Sequence, residues 1–450
     1  MSLWFYGYFN PSYVLIICGS ILVNFGVSRY LLRLRRAGRQ RGAKVLMLLG
    51  VSANVALLFY FKYVDFFLAN VNRAFRTDFA MRNIVLPLGI SFFTFQQISY
   101  VVDSWRGETE GYSLLDYAVF VSFFPQLVAG PIVLHNELIP QLRTEDNHRP
   151  DAANLAKGLY LFSTGLFKKV MVADTLGNLV NAGFGGVEIL TTTDVLLIIV
   201  CYALQLYFDF SGYSDMATGI GLMFNIRLPI NFNSPYKARS ILEFWDRWHM
   251  TLTRFLRQYI YFPLGGSKKG RVRTYVNIMI VFFVSGLWHG ASWTFVAWGL
   301  LHGAAEVLTR RFRNQWDKIP GVIRWFVTFG FVSFAFLIFR AGSLSQAYIM
   351  FRKVATLESM AITPALLEAL TLPEVFHIEE LLHIDGLLGG KYGIHLWATL
   401  AVVLYGALGL ENCQKKEFQC NGKTMLQTVG MLTWTIMSLS GISTFLYFNF

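Results

Sequence analysis

Apolar positions fall into long runs along this chain, separated by short polar or basic stretches. A helix needs about 20 mostly apolar residues to cross a bilayer. Residues 11–28 and 45–61 meet that length. Further apolar runs occupy about 84–102, 114–134, 155–183, 192–208, 214–226, 275–288, 291–308, 322–339, 394–410 and 425–448. Two stretches break the pattern. Residues 114–134 carry Pro125, Gly130 and Pro131, which membrane depth tolerates only where protein buries the broken backbone, so a re-entrant or sharply kinked segment is predicted. Residues 227–273 mix aromatic and basic residues at helical spacing and are too charged to cross, which predicts interfacial amphipathic helices anchored by Trp245 and Trp248. Residues 340–393 read as short helical pieces with a Gly-rich turn at Leu387–Gly390. The pattern predicts an all-α polytopic membrane protein with about 10–12 membrane helices, folded as a single membrane-embedded domain over 1–450.

Composition agrees with this reading. Hydrophobic residues make up 54% of the chain and charged residues 15%, against about 25% charged in ordinary soluble proteins. So few charges exclude a soluble, disordered or fibrous chain. The net charge of +12 reads as basic loops beside membrane spans rather than as a nucleic-acid footprint. Its densest part is RYLLRLRRAGRQRGAK, residues 29–44, with seven basic residues and no acidic one. By the positive-inside rule this link is cytoplasmic, as is the turn Lys268–Arg273, and the N-terminus lies outside. Met1–Tyr13 lacks the basic start of a cleavable signal and reads as the approach to a span. Cys18, Cys201, Cys413 and Cys420 show neither a CxxC nor zinc spacing.

Polar groups inside apolar segments are costly and therefore carry the chemistry. In LWHGASWTFVAWGLLHG, residues 287–303, His289 follows Trp288 and precedes His302. An imidazole there suits a general base. In EFWDRWHMTLTRFLRQYIYFPLGG, residues 243–266, His249 stands among Trp245, Trp248 and three arginines. In LQLYFDFSGYSDMATGIG, residues 204–221, Asp209 accompanies Tyr207, and Asp215 reads as part of a buried network joining helices. Lys168, Lys169 and Asp174 form a local ion-pair arrangement. No HExxH, nucleophile elbow, Walker loop or dinucleotide fingerprint occurs, so no metal site is predicted. Acid–base chemistry and a transporter with a His/Asp relay both fit these residues. The inverted repeats expected of a transporter are not seen.

The ordered motifs LPLGISFFTFQQISYVVD, FFPQLVAGPI, YFDFSGYSDMA, RLPINFNSPY…EFWDRWHMTLTRFLRQYIYFPLGG and WHGASWTFVAWGLLHG, together spanning about 80–310, resemble the membrane-bound O-acyltransferases. The likeness is strongest to the bacterial subgroup of alginate and peptidoglycan O-acetyltransferase membrane subunits. The resemblance implies a central tunnel and a multi-pass protein of the bacterial cytoplasmic (inner) membrane. The implied activity passes an acetyl group from a thioester such as acetyl-CoA across the membrane, for O-acetylation of an extracytoplasmic polysaccharide. No bound cofactor is implied; a periplasmic or extracellular acetyltransferase partner is the implied acceptor, and D-alanyl transfer to teichoic acid from a carrier protein is the alternative. His289 matches the family's catalytic histidine and His249 its second position. Asp209, Tyr207, His302, Trp288, Pro125 and Gln126 are implied as support or tunnel lining.

Overall fold

A computed structural model describes residues 2–109, 111–357, 359–370, 379–383, 394–439 and 445–446; the Leu387–Gly390 turn lies outside them. The described residues form helices joined by turns and extended connections, with no strand among them, and their contacts divide the chain into two compact units. One comprises 1–162, 216–230 and 251–269, the other 163–215, 231–250 and 270–450.

The first unit begins with α1, Pro11–Arg36. Asn10 caps it by accepting the Ser12 N–H at 3.0 Å, Pro11 occupies its first turn, and Arg33, Arg35 and Arg36 complement its C-terminal dipole. Tyr13, Ile17, Ile21, Asn24, Ser28 and Leu31 form its buried stripe at three- and four-residue spacing. After a turn at Gly38 (φ 70°), α2 spans Gln40–Lys62. The basic link is thus mostly helix, the last turns of α1 and the first of α2. Both pack on α3, Ile90–Arg106, glued by Asn54 Nδ2 donating to Asn24 Oδ1 at 2.6 Å and Ser20 Oγ to Gln97 Oε1 at 2.7 Å. The helix predicted from about residue 84 starts at Ile90.

The Pro/Gly segment is broken as expected. A capping box on Ser113 and Asp116 starts α4, Leu114–Ser122; a single turn, Phe124–Leu127, and extended chain follow before α5, His135–Arg143. Gln126 Nε2 caps the freed Phe120 carbonyl at 3.0 Å, and Ile132 N–H donates to Thr251 Oγ1 at 2.9 Å. Tyr112 OH, just before the segment, lies 3.2 Å from Nδ1 of His135, just after it. Its two ends meet, so the segment turns back on itself, as a re-entrant or sharply kinked segment would.

The helix α6, Thr192–Met223, corrects a prediction. The runs 192–208 and 214–226 are one helix, because Asp209, the charged residue between them, is buried and paired with Lys169 rather than exposed to lipid. Its apolar window is 89% buried, against 28% for α1 and 22% for α2. The second unit adds α7 (Arg271–His289), α8 (Trp293–Arg311) and α9 (Gly321–Arg340). Of the described helices, α1, α2, α6, α7 and α9 are long and apolar enough to cross a membrane.

Candidate active site

The second unit gathers most of the predicted residues. His289 is the last residue of α7 and is 6% exposed. The chain leaves α7 through Gly290, where a Cβ would sit 2.1 Å from the Phe295 ring, and Ser292 caps α8 by accepting the Thr294 N–H. The two helices touch backbone to backbone. A Cβ on Gly286 would lie 2.4 Å from the Phe295 carbonyl oxygen, and one on Gly299 2.4 Å from that of Phe282. This contact fixes the imidazole of His289 against Trp288 (ring centroids 4.9 Å apart), Trp298 (5.1 Å) and Phe339 (5.2 Å).

His249 sits in the turn between the short helices Ile241–Trp245 and Met250–Leu256, fully buried and in the left-handed region at φ 44°. A non-glycine residue held there is strained, and the turn retains it through Asn231, whose carbonyl accepts the Met250 N–H at 2.9 Å. Asn231 Oδ1 lies 3.1 Å from His249 Nδ1. The other nitrogen, Nε2, is buried without a hydrogen-bond partner among the described residues. Burial pushes the imidazole down to about 3, so it is neutral at pH 7. Its ring centroid is 5.9 Å from that of Trp288. Trp288 therefore contacts both candidate histidines.

The tryptophan anchors expected at an interface are not there. Trp245 is 5% exposed and Trp248 4%, both inside protein. Trp245 Nε1 donates to His302 Nδ1 at 3.3 Å, while Trp248 packs with Tyr207 and Phe232. Apolarity alone does not separate a residue facing lipid from one facing protein. Arg247 pairs with Glu243 at 2.8 Å and, in the first unit, Arg254 pairs with Glu137.

Asp209 belongs to a different arrangement. Lys169 bridges it (2.8 Å) to Asp174 (2.6 Å), and the Leu446 N–H donates to Asp209 Oδ2 at 3.0 Å. Lys168 pairs with Asp215 at 2.6 Å, which also receives Cys413 Sγ at 3.2 Å and Gln414 Nε2 at 2.6 Å. The two lysines thus reach beyond a local pair, from the π-turn Lys168–Asp174 to α6, and Asp215 joins helices as expected. Pro125 and Gln126 belong to the first unit and its re-entrant segment.

Sequence reasoning missed Asn231. Its signal was an asparagine in RLPINFNSPY, a stretch too aromatic for a solvated loop. It also missed His135, buried with Nε2 3.3 Å from Asp103 Oδ2, because HNELIP reads as a polar connection.

Two buried imidazoles thus flank one indole, that of His249 in a tight turn and that of His289 at the end of a helix locked to its neighbour by glycine contacts. Residues 57–345 match the membrane-bound O-acyltransferase family. The chain belongs to that family and is a multi-pass membrane O-acyltransferase. It is 42% identical over 390 residues to a peptidoglycan O-acetyltransferase of Helicobacter pylori, covering 80% of this chain and 73% of that one. It is 39% identical over 355 residues to a probable alginate O-acetylase AlgI of Pseudomonas aeruginosa (77% and 67%). Similarity to a teichoic acid D-alanyltransferase of Streptococcus thermophilus is lower, 27% identity over 295 residues (58% and 69%).

Proposed function

We propose that this chain transfers an acetyl group from a cytoplasmic thioester, acetyl-CoA, for O-acetylation of an extracytoplasmic polysaccharide of the alginate or peptidoglycan kind. It acts in the bacterial inner membrane, and a periplasmic acetyltransferase partner takes the acetyl group first. The names of the relatives at 42% and 39% identity support the reaction class and the acceptor class.

His289 acts as general base. A hydroxyl is a poor nucleophile until its proton is taken. Its oxygen attacks the thioester carbonyl carbon as the proton passes to the His289 imidazole. Collapse of the tetrahedral intermediate breaks the C–S bond, and the leaving sulfur takes the proton back, so the products are an ester and a free thiol. His249 supports the step from the neutral tautomer set by Asn231: with Nδ1–H donated to Asn231, Nε2 keeps a lone pair that can accept a proton or hydrogen bond. The observation that carries the reading is the contact of one indole, Trp288, with both buried imidazoles.

The test supplies the detergent-solubilised protein with radiolabelled acetyl-CoA and its periplasmic partner. Label on the partner together with free CoA thiol is expected. Thiol release without label transfer, or neither, overturns the reading.

A further inference from the structure

The second unit contains a cavity of about 470 Å³. Four cations, Lys237, Arg239, Arg247 and Arg324, and two carboxylates, Glu243 and Asp317, line it. Both carboxylates are already engaged. Glu243 Oε1 receives Arg247 Nη2 at 2.8 Å, its Oε2 receives the Arg239 backbone N–H at 2.8 Å, and Asp317 Oδ1 receives Arg324 Nη1 at 2.9 Å. Two cations are left over. Lys237 gives one N–H to the Leu410 carbonyl at 2.9 Å, and the guanidinium of Arg239 meets no carboxylate among the described residues.

The position of that guanidinium is unusual. It lies across Gly321, the first residue of α9, where a Cβ would sit 3.2 Å from Arg239 Nη1. Free backbone N–H groups make this end of a 20-residue helix positive. A cation that meets no carboxylate among the described residues, resting on a positive helix end beside Lys237 and Arg324, is a local conflict; such conflicts mark functional sites. The loop is also held in place. Trp316 Nε1 donates to the Arg239 carbonyl at 3.0 Å and Trp325 Nε1 to the Tyr236 carbonyl at 2.8 Å. The backbone that carries the cations is fixed, and a multiply charged anion relieves their repulsion.

We infer that this cavity binds a phosphate group, held by Lys237, Arg239 and the N-terminus of α9. Basic residues crowd this end of the unit: Arg310 and Arg311 close α8, and Arg313 and Lys318 follow. That crowding marks the cytoplasmic side. The choice of ligand rests on the donor reading above, since a coenzyme A thioester carries three phosphates there. An anionic lipid headgroup presents the same chemistry.

The experiment measures the melting temperature and Kd of the full-length protein in phosphate-free buffer, with 3′-phosphoadenosine 5′-diphosphate as soluble probe. The probe should stabilise the wild type and His289→Ala alike, and Arg239→Gln should weaken its Kd at least about tenfold. Arg239 is exposed and its side chain has no hydrogen-bond partner among the described residues, so Arg239→Gln should not lower the melting temperature without probe. If the nucleotide has no effect but phosphatidylglycerol nanodiscs stabilise wild type over Arg239→Gln, the ligand is a headgroup and the site stands. Equal binding by the variant, no effect of either probe, or a lowered melting temperature without probe overturns it. Failure of the acyl-transfer reading appears instead as turnover retained by His289→Ala, which probe binding does not report.

Discussion

Asn231 Oδ1 lies 3.1 Å from His249 Nδ1, while the amide nitrogen of the same side chain faces Ser214 Oγ at 3.4 Å. The amide is therefore oriented from both ends, and it assigns the imidazole proton to Nδ1. Replacing it by alanine should leave His249 buried but free to adopt either tautomer. Asn231→Ala is expected to lower kcat about tenfold, near 1.4 kcal/mol on the barrier, with little change in KM. An unchanged kcat would remove Asn231 from the reaction.

His249 also makes a prediction about acid stability. Its pKa falls from 6.5 to about 3 on folding, through burial. Between those values the unfolded chain binds a proton that the native state refuses, so stability declines as pH falls below 6.5, by about 1.4 kcal/mol per unit. His249→Gln, which has no such proton to bind, should lose less stability between pH 7 and 5 than the wild type, and should lower turnover at least about tenfold at pH 7. Parallel pH–stability curves would show that the imidazole titrates normally in the fold.

The glycine contacts beneath His289 predict a structural route to inactivity. A Cβ on Gly286 or Gly299 would lie 2.4 Å from a backbone oxygen of the facing helix, and overpacking of this kind costs about 1–3 kcal/mol. Gly299→Ala should lower the melting temperature and turnover together, in contrast to changes at the imidazoles. A variant as stable as wild type would mean that α7 and α8 are not locked by this contact.

Orientation is tested at the helix ends. Cysteines placed at Arg39, between α1 and α2, and at Lys269, before α7, should resist a membrane-impermeant thiol reagent in intact cells and react after permeabilisation. Labelling in intact cells would reverse the topology on which cytoplasmic donor entry depends.

Much of the fold was legible where hydropathy alone decides. The predicted spans 275–288 and 322–339 fall inside Arg271–His289 and Gly321–Arg340, and the span 291–308 begins two residues before Trp293–Arg311. The re-entrant segment was legible because proline and glycine leave backbone groups that only protein can satisfy. Where polar side chains are buried by partners distant in sequence, the pattern misled. Asp209 and Asp215 interrupt the apolar run of α6, but Lys169 and Lys168 neutralise them, so the helix continues. Trp245 and Trp248 read as membrane anchors because an amphipathic aromatic–basic stretch looks the same whether its rings meet lipid or Tyr207, Phe232 and His302. His289 and His249 were legible from their motifs. The Asn231 contact was not, since it depends on a turn with a left-handed histidine that no spacing announces.

The central claim is that His289 takes the proton of the attacking hydroxyl. The direct measurement is acetyl transfer to the partner by His289→Ala, with circular dichroism and melting temperature recorded on the same preparation. The account predicts a loss of about 10²- to 10⁴-fold in turnover with helical content retained. A folded His289→Ala protein keeping half or more of wild-type turnover would contradict it.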